Sequence, residues 1–550
     1  MQSAQSILTS AVDLWEVAQV ELHGRVSGER ILRLRSFLAQ TTIVKAVAIC
    51  LSIPVPCVLM LAALEAIPLA SPSDGTLANY AFWIRHVTTL FLLAPGILSH
   101  FQSSLPELNI TRKDMVSLGF LGSIASGGFS FAVSLMIGFP VPFTLLVSAP
   151  AWLLVVIPPT ITIYITRLRH HTPLLGRFIR CWLVIGWLAL SVVLYPLYIF
   201  GFHHLGPIGQ VFYVGLLPFI KITGRNVICW LLGDRHDVKA EIVIFNVEVF
   251  SALYMSVALQ NSAKLTTTMA VVAVDIVQSV VAIRDISKMM KGIDRICITT
   301  GRHRTSSFRH VIFNPDGPEL PAKCPQQLGN TKLSSVIPSD QTSFTSTPSP
   351  LSKHTARIHP SRGPPIQALA QASAKRSKAK NSFIPTSTAI SAHTSASTQR
   401  LSKKDQKILA VKSAQVLFTA EFVLLVKYVE AIVPAIYAAF VVMAFILQNQ
   451  QYYNQLDSIT PDNLNNTALN VMIYCLLKTL SLCIMCFVLT RKLGMSAIHL
   501  VAFVLLHQWE AIFSKLLTWS VYTTLTSLSH SGPDFTFQFS WLHEKPPNET

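Results

Sequence analysis

Residues Leu417–Gln448 read LFTAEFVLLVKYVEAIVPAIYAAFVVMAFILQ, and this stretch decides the fold. As a helix its 32 residues extend ~48 Å, against a hydrocarbon core of ~30 Å, so it spans with a tilt or leaves a turn in the headgroups. Three ionisable residues sit inside it: Glu421, Lys427 and Glu430. Lys427 and Glu430 are i,i+3 neighbours and can pair on one helix face, whereas Glu421 points to the opposite side. Pro434 interrupts the hydrogen-bond ladder, and Ala431, Ala435, Ala438 and Ala439 offer a small-residue surface for another helix. The stretch therefore reads as a spanning helix inside a bundle, its charges turned toward protein.

The composition agrees. Of 550 residues 51% are hydrophobic and only 13% charged, with mean hydropathy +0.48. Soluble chains carry about 25% charged residues, so lipid is the solvent here. The formal charge is +17, yet residues 286–418 hold 20 Lys+Arg against 5 Asp+Glu, or 15 of those 17 charges. Confinement to one segment between spans points to an inner membrane surface, and no nucleic-acid partner is expected. Most of the nine cysteines lie in or beside apolar segments and none falls in a loop assigned outside, which argues against a disulfide framework. Cys483 and Cys486 form a lone CxxC within an apolar span, where packing thiols are expected rather than metal ligands.

Working outward from Leu417–Gln448, apolar segments run at roughly 42–64, 80–98, 115–139, 141–166, 181–202, 205–222, 242–259 and 265–283 before it, and 470–489 and 497–525 after it. The expected fold is all-α and polytopic, with about eleven (nine to eleven) transmembrane helices. These fall into an eight-helix bundle over 42–285 and a three-helix bundle over 417–526. The weakest spans are 205–222, short and holding Pro207 and Pro218, and 242–259, which contains Asn246 and Glu248. Flanking them are a segment at 1–41 with no signal-peptide core, a disordered basic loop at 286–416, and an aromatic tail at 527–550.

Loop charge alternates along the chain. Arg112 and Lys113, then Arg167, Arg169, Arg177 and Arg180, then Arg225, Arg235 and Lys239, then Arg491 and Lys492 fall on one side, with the basic loop. The intervening loops hold almost no Lys or Arg. This predicts an integral protein of the plasma membrane or an endomembrane, N-terminus cytosolic and C-terminus extracytosolic. The sequons at Asn465 and Asn548 then lie outside as possible glycosylation sites.

The 286–416 loop is rich in Ser, Thr, Pro and Lys, and it cannot bury enough apolar surface to fold alone. Thr347-Pro348 and Ser349-Pro350 are candidate phosphorylation sites. Lys375, Arg376, Lys378 and Lys380 can meet anionic inner-leaflet lipid at ~1 kcal/mol each. A plain solvated spacer is the alternative.

Charges inside apolar spans carry the functional signal, because lipid burial is costly unless they are paired or hydrated. Lys45, Glu65, Arg85 and Glu421 lie near span ends, where they are expected to snorkel. The interior set, and the candidate polar site, is Glu248, Asp275, Lys427, Glu430, Lys478 and the i,i+3 pair His507/Glu510. Such a set can relay protons or bind a cation, or it can be a satisfied network that fixes helix register. Gly119, Gly122, Ser123, Gly127 and Gly128 form a small-residue face suited to helix packing. No HExxH, GxSxG or Walker motif is present, and no catalytic residue, cofactor or metal is expected.

Four strings, FNVEVFSALYMSVALQNS (Phe245–Ser262), EFVLLVKYVEAIVPAIYA (Glu421–Ala438), RKLGMSAIHLVAFVL (Arg491–Leu505) and HSGPDFTFQFSWL (His530–Leu542), resemble a group of multi-pass membrane proteins of oomycetes. The resemblance implies a lineage-restricted polytopic protein with an ordered aromatic tail at the outer interface, and it transfers no site residue. Function is expected to be transporter- or channel-like, with a membrane-embedded receptor or scaffold as the alternative.

Overall fold

The computed structural model describes Gln19, Leu22 and residues 24–168, 172–233, 236–260, 265–299, 403–453, 456, 461–534, 539 and 541. The basic loop at 300–402, with Thr347, Ser349 and Lys378, lies outside the described residues, as does Asn548. Among those described, the protein is helical without a strand; one isolated antiparallel bridge joins Tyr453 to Leu528. The main helices are α1 (Gly28–Gln40), α2 (Ile43–Ser52), α3 (Pro54–Glu65), α4 (Tyr80–Ser104), α5 (Arg112–Ile137), α6 (Thr144–Leu168), α7 (Thr172–His204), α8 (Pro207–Val214), α9 (Leu216–Leu232), α10 (His236–Gln260), α11 (Leu265–Thr299), α12 (Lys403–Ile446), α13 (Pro461–Leu493), α14 (Ala497–His507) and α15 (Trp509–Thr526).

Local chemistry sets many boundaries. The Ser27 hydroxyl caps α1 by accepting from Arg30 N at 3.2 Å, and Thr111 with Asp114 forms a capping box at the start of α5. Pro54 opens α3, dividing the first apolar segment into two helices that together run Ile43–Glu65. Gly233 takes φ +60° to end α9, a conformation that costs a Cβ-bearing residue ~1 kcal/mol or more.

Among the described residues, eight helical stretches are long and apolar enough to cross a bilayer, and a ninth if α14 and α15, bent by 85°, count as one. The segments at 205–222 and 265–283 are not among them. The first is broken at Gly215 into α8 and α9 and holds Lys221, with Arg225 just beyond it; the second holds Asp275, and Arg284, Asp285 and Lys288 follow directly on it in α11. The segment at 242–259 is a clear case instead, since it forms the middle of α10.

Two separate bundles are not what forms. The described residues on both sides of the basic loop make one compact unit. Helix α12 packs against α3, α10, α11, α13 and α14, and α15 packs against α3, α4 and α10, so helices from after the loop fill the middle of those before it. The whole apolar stretch of α10 is buried, against 17% of Ile43–Glu65. Helix α10 and the middle of α12 are surrounded by protein, so apolar residues occupy most of each circumference and the few charges they carry are paired inside. The peripheral helices instead turn Leu154, Phe212, Trp230, Leu480 and Phe487 outward, a surface suited to lipid.

The bundle has two chemically distinct ends. At one, Arg112 meets Glu510, Arg177 meets Glu107, Gln508 reaches the Asp237 carbonyl and Arg30 pairs with Glu421. This is the basic end. At the other, Phe82 packs on Phe139 and His530, the His530 ring bonds the Ala70 carbonyl at 2.8 Å, and Trp541 Nε1 donates to the Pro140 carbonyl at 2.9 Å. Here Phe143 N donates to the Gly532 carbonyl at 3.1 Å, and a Cβ at Gly532 would lie 2.3 Å from the Val141 oxygen. The described part of the aromatic tail is thus packed onto the bundle.

Candidate functional site

Helix α12 presents Lys427 and Glu430 one turn apart, as its sequence requires. Both meet Asp275 of α11 and Lys478 of α13, more than 40 positions away in each case. Asp275 Oδ1 accepts from Lys427 Nζ and, at 2.8 Å, from Lys478 Nζ; Glu430 Oε2 accepts from the same ammonium groups at 3.0 and 3.3 Å. The four charges alternate in sign around a closed ring. The Ser481 hydroxyl completes Asp275 by donating to Oδ2 at 3.1 Å.

The ring continues through Lys221 on α9, 3.4 Å from Glu430 and 2.9 Å from Glu248 of α10. Arg225, one turn beyond Lys221, grips Glu248 Oε1 through Nε at 2.8 Å and Nη2 at 2.6 Å. Five helices are thereby cross-linked by charge: α9, α10, α11, α12 and α13. Asp275, Glu430 and Glu248 are all under 5% exposed, so each loses its hydration, and only multiple close partners repay that cost. The cavity beside the ring, lined by Lys221, Ser251, Gln278 and Tyr474, holds about 40 Å³, room for roughly one water at ~30 Å³.

The structure thus brings Glu248, Asp275, Lys427, Glu430 and Lys478 together and leaves His507 and Glu510 apart. Helix α14 stops at His507, Gln508 adopts φ −120° and ψ 23°, and α15 sets off at a steep angle. That break sits at the basic end, where Glu510 pairs with exposed Arg112 and the His507 ring packs on Phe503. The i,i+3 argument needs one continuous helix, and here there are two.

Lys221 and Arg225 escaped the sequence reading, which placed the first at a span end and the second in a loop. Their i,i+4 spacing within LLPFIKITGRNVICWLL was the available signal, because it sets both on one face of an otherwise apolar helix.

Residues expected to snorkel are paired inside instead. Arg85 binds Glu65 with both side chains 1% exposed, and the Tyr453 hydroxyl lies 2.6 Å from Arg85 Nη2. Glu421 pairs with Arg30 of α1. Burial opposes the Arg30 charge, and the Glu421 carboxylate beside it outweighs that and raises its pKa above the ordinary value. Lys45 is exposed as expected. Lys515 and Glu241 form a further pair at 2.9 Å, each 2% exposed.

The small-residue face of α5 is a packing surface. Cβ atoms added at Gly119, Gly122 and Gly127 would lie 2.9 Å from Ala94, 2.9 Å from Trp152 and 2.4 Å from Val87, while Gly128 faces open space. Asn465 falls within α13, four residues after its first residue Pro461.

A second feature was not legible in the sequence: a cavity of about 760 Å³ between α4, α6, α7, α10 and α15. Helix α15 lines it with Lys515, Thr518, Trp519, Tyr522 and Thr526, spaced to share one helix face; the opposite walls are Leu, Ile, Val and Trp side chains. Its deep boundary includes the Lys515–Glu241 pair, and Ser527, Ser531, Phe143 and Pro533 flank it at the aromatic end.

The chain matches no protein-family model, no curated protein and no solved structure.

Proposed function

We propose that this multi-pass membrane protein is transporter-like and holds an apolar or amphipathic molecule in the cavity faced by α15. The single observation that supports this is the cavity itself. About 760 Å³ is within the range of ligand sites, and its walls are mostly apolar, with the polar groups of α15 joined by Asn246 and Tyr254 of α10. Apolar walls disfavour filling it with water. The ion-paired ring serves in this reading as the fixed pin of the bundle, since each of its charges already has protein partners.

The same proposal takes the basic end as cytosolic, so that N-terminus and basic loop face anionic inner-leaflet lipid and the C-terminus faces outward. It retains eleven crossings by counting α8–α9 and α11. Their charges are neutralised against α10, α12 and α13, which lowers the cost that bare hydropathy assigns them.

The test uses a small photoreactive apolar probe, an aryl diazirine, added to the protein in phosphatidylcholine vesicles. Trp519 and Tyr522 are under 9% exposed and line the cavity, so labelling of their peptide reports entry. Gly186→Trp, at a lining position with nothing within 4 Å of an added Cβ, is expected to remove that labelling without disturbing the fold. Absence of labelling at Trp519 and Tyr522 in the unaltered protein would refute the proposal.

A further inference from the structure

We propose that the molecule held in this cavity is one acyl chain of a bilayer lipid, which enters sideways between α6 and α7 from the leaflet at the aromatic end. The inference rests on the cavity being a binding site, and it adds the chemical class and the route.

The route follows from how α6 and α7 diverge. They meet near the basic end, where Tyr164 and Phe178 stack with ring centroids 4.7 Å apart. Further along, the cavity lies between them. Leu146 on α6 and Val193 and Leu197 on α7 line it and are also 49%, 41% and 44% exposed, and the cavity is half open rather than enclosed. We assign that opening to the gap between α6 and α7, facing the hydrocarbon. Gly186 and Ala189 on α7 keep that side of the cavity shallow in side-chain bulk. Proline at 150, 158 and 159 in α6 and at 196 in α7 removes backbone donors that would hold those helices straight.

The dimensions fit one chain. Lys515 and Ser527 mark the two ends on α15, and twelve residues of helix cover ~18 Å. One leaflet contributes about half of the ~30 Å hydrocarbon thickness. The deep end presents Lys515, whose charge Glu241 already neutralises, so it offers no free charge to a headgroup. The shallow end presents Ser527 and Ser531 at the level of the aromatic cluster, where a lipid's ester region lies. Hydrocarbon is the one apolar liquid in contact with this opening, at a concentration no dilute solute approaches.

The experiment compares two probes in the same vesicles: phosphatidylcholine with a diazirine at the end of one acyl chain, and the small aryl diazirine. The expected result is lipid cross-linking to the peptide holding Trp519 and Tyr522. It should fall at least tenfold in both Gly186→Trp and Ala189→Trp, with labelling of outward-facing Leu480 and Phe487 unchanged as the control. Mass spectrometry of the purified protein should also show about one retained lipid, lost in both variants. If the small probe labels Trp519 and Tyr522 while the lipid labels only the outer surface, the cavity reading stands and the acyl-chain inference is overturned. If neither reaches them, both fall. Labelling that persists in both well-folded variants likewise overturns the inference, since the chain would then be arriving by another route.

Discussion

Replacing Asp275 with asparagine keeps the shape of the side chain and removes one charge from the ring. Lys427 and Lys478 both lean on Asp275 Oδ1, and after the change each retains only Glu430, at 3.0 and 3.3 Å. Three lysines would then share Glu430 and Glu248, with Arg225 also on Glu248. Breaking a buried pair by removing one partner costs about 3–5 kcal/mol, because the cost is that of an uncompensated charge rather than of a lost bond. Each ~1.4 kcal/mol is tenfold in the folding equilibrium, so a 4 kcal/mol loss lowers it about 700-fold. The informative comparison adds Lys478→Met, which takes away the surplus cation. If imbalance is the cause, the double variant should recover about 1–3 kcal/mol over Asp275→Asn, the coupling expected of residues in one network. Denaturant unfolding in mild detergent, followed by Trp fluorescence, reads all four members of the cycle. A cost for Asp275→Asn within ~0.5 kcal/mol of zero, or additive effects in the double variant, would refute the ring as the pin of the bundle.

Three more expectations follow from particular contacts. A Cβ at Gly96 would lie 1.9 Å from Thr518 Oγ1 and 3.2 Å from the Ser514 carbonyl, so Gly96→Val should cost about 1–3 kcal/mol by forcing α4 from α15; Thr518→Ala should restore part of it in a thermal melt. Burial holds the His530 imidazole down to about 4, with Arg85 acting in the same sense and the Ala70 carbonyl opposing them, against 6.5 when unfolded. Its stabilising contribution is therefore whole above pH 6.5 and drains away by up to ~3 kcal/mol as the pH falls toward 4. His530→Gln should flatten that limb of a stability–pH curve, and an unchanged limb would remove His530 as its source. For orientation, an epitope beside Lys378 should be reached by antibody only in permeabilised cells, and Asn465 should carry glycan; surface staining of intact cells would invert the assignment.

The sequence by itself determined the solvent and the secondary structure. A chain with so few charges and so many apolar runs of bilayer length must satisfy its backbone inside each segment, and helices are the local way to do so. It also determined that Lys427 and Glu430 share a face of α12, because that follows from helical pitch alone. Only the tertiary structure decided who their partners are: Asp275 comes from α11, across the basic loop, and Lys478 from α13, the next helix along, and a hydropathy profile cannot distinguish a charge facing lipid from one facing a lysine. For that reason Ile242–Leu259, penalised for Asn246 and Glu248, proved to be the most enclosed part of the bundle, and Lys221 and Arg225 passed for membrane-edge residues. Periodicity also assumes an unbroken helix, and it failed at Gln508, where contacts with Asp237 and the neighbouring helix ends turn the chain. The α15-lined cavity belongs wholly to packing, since it exists only where five helices separated in sequence come together around it.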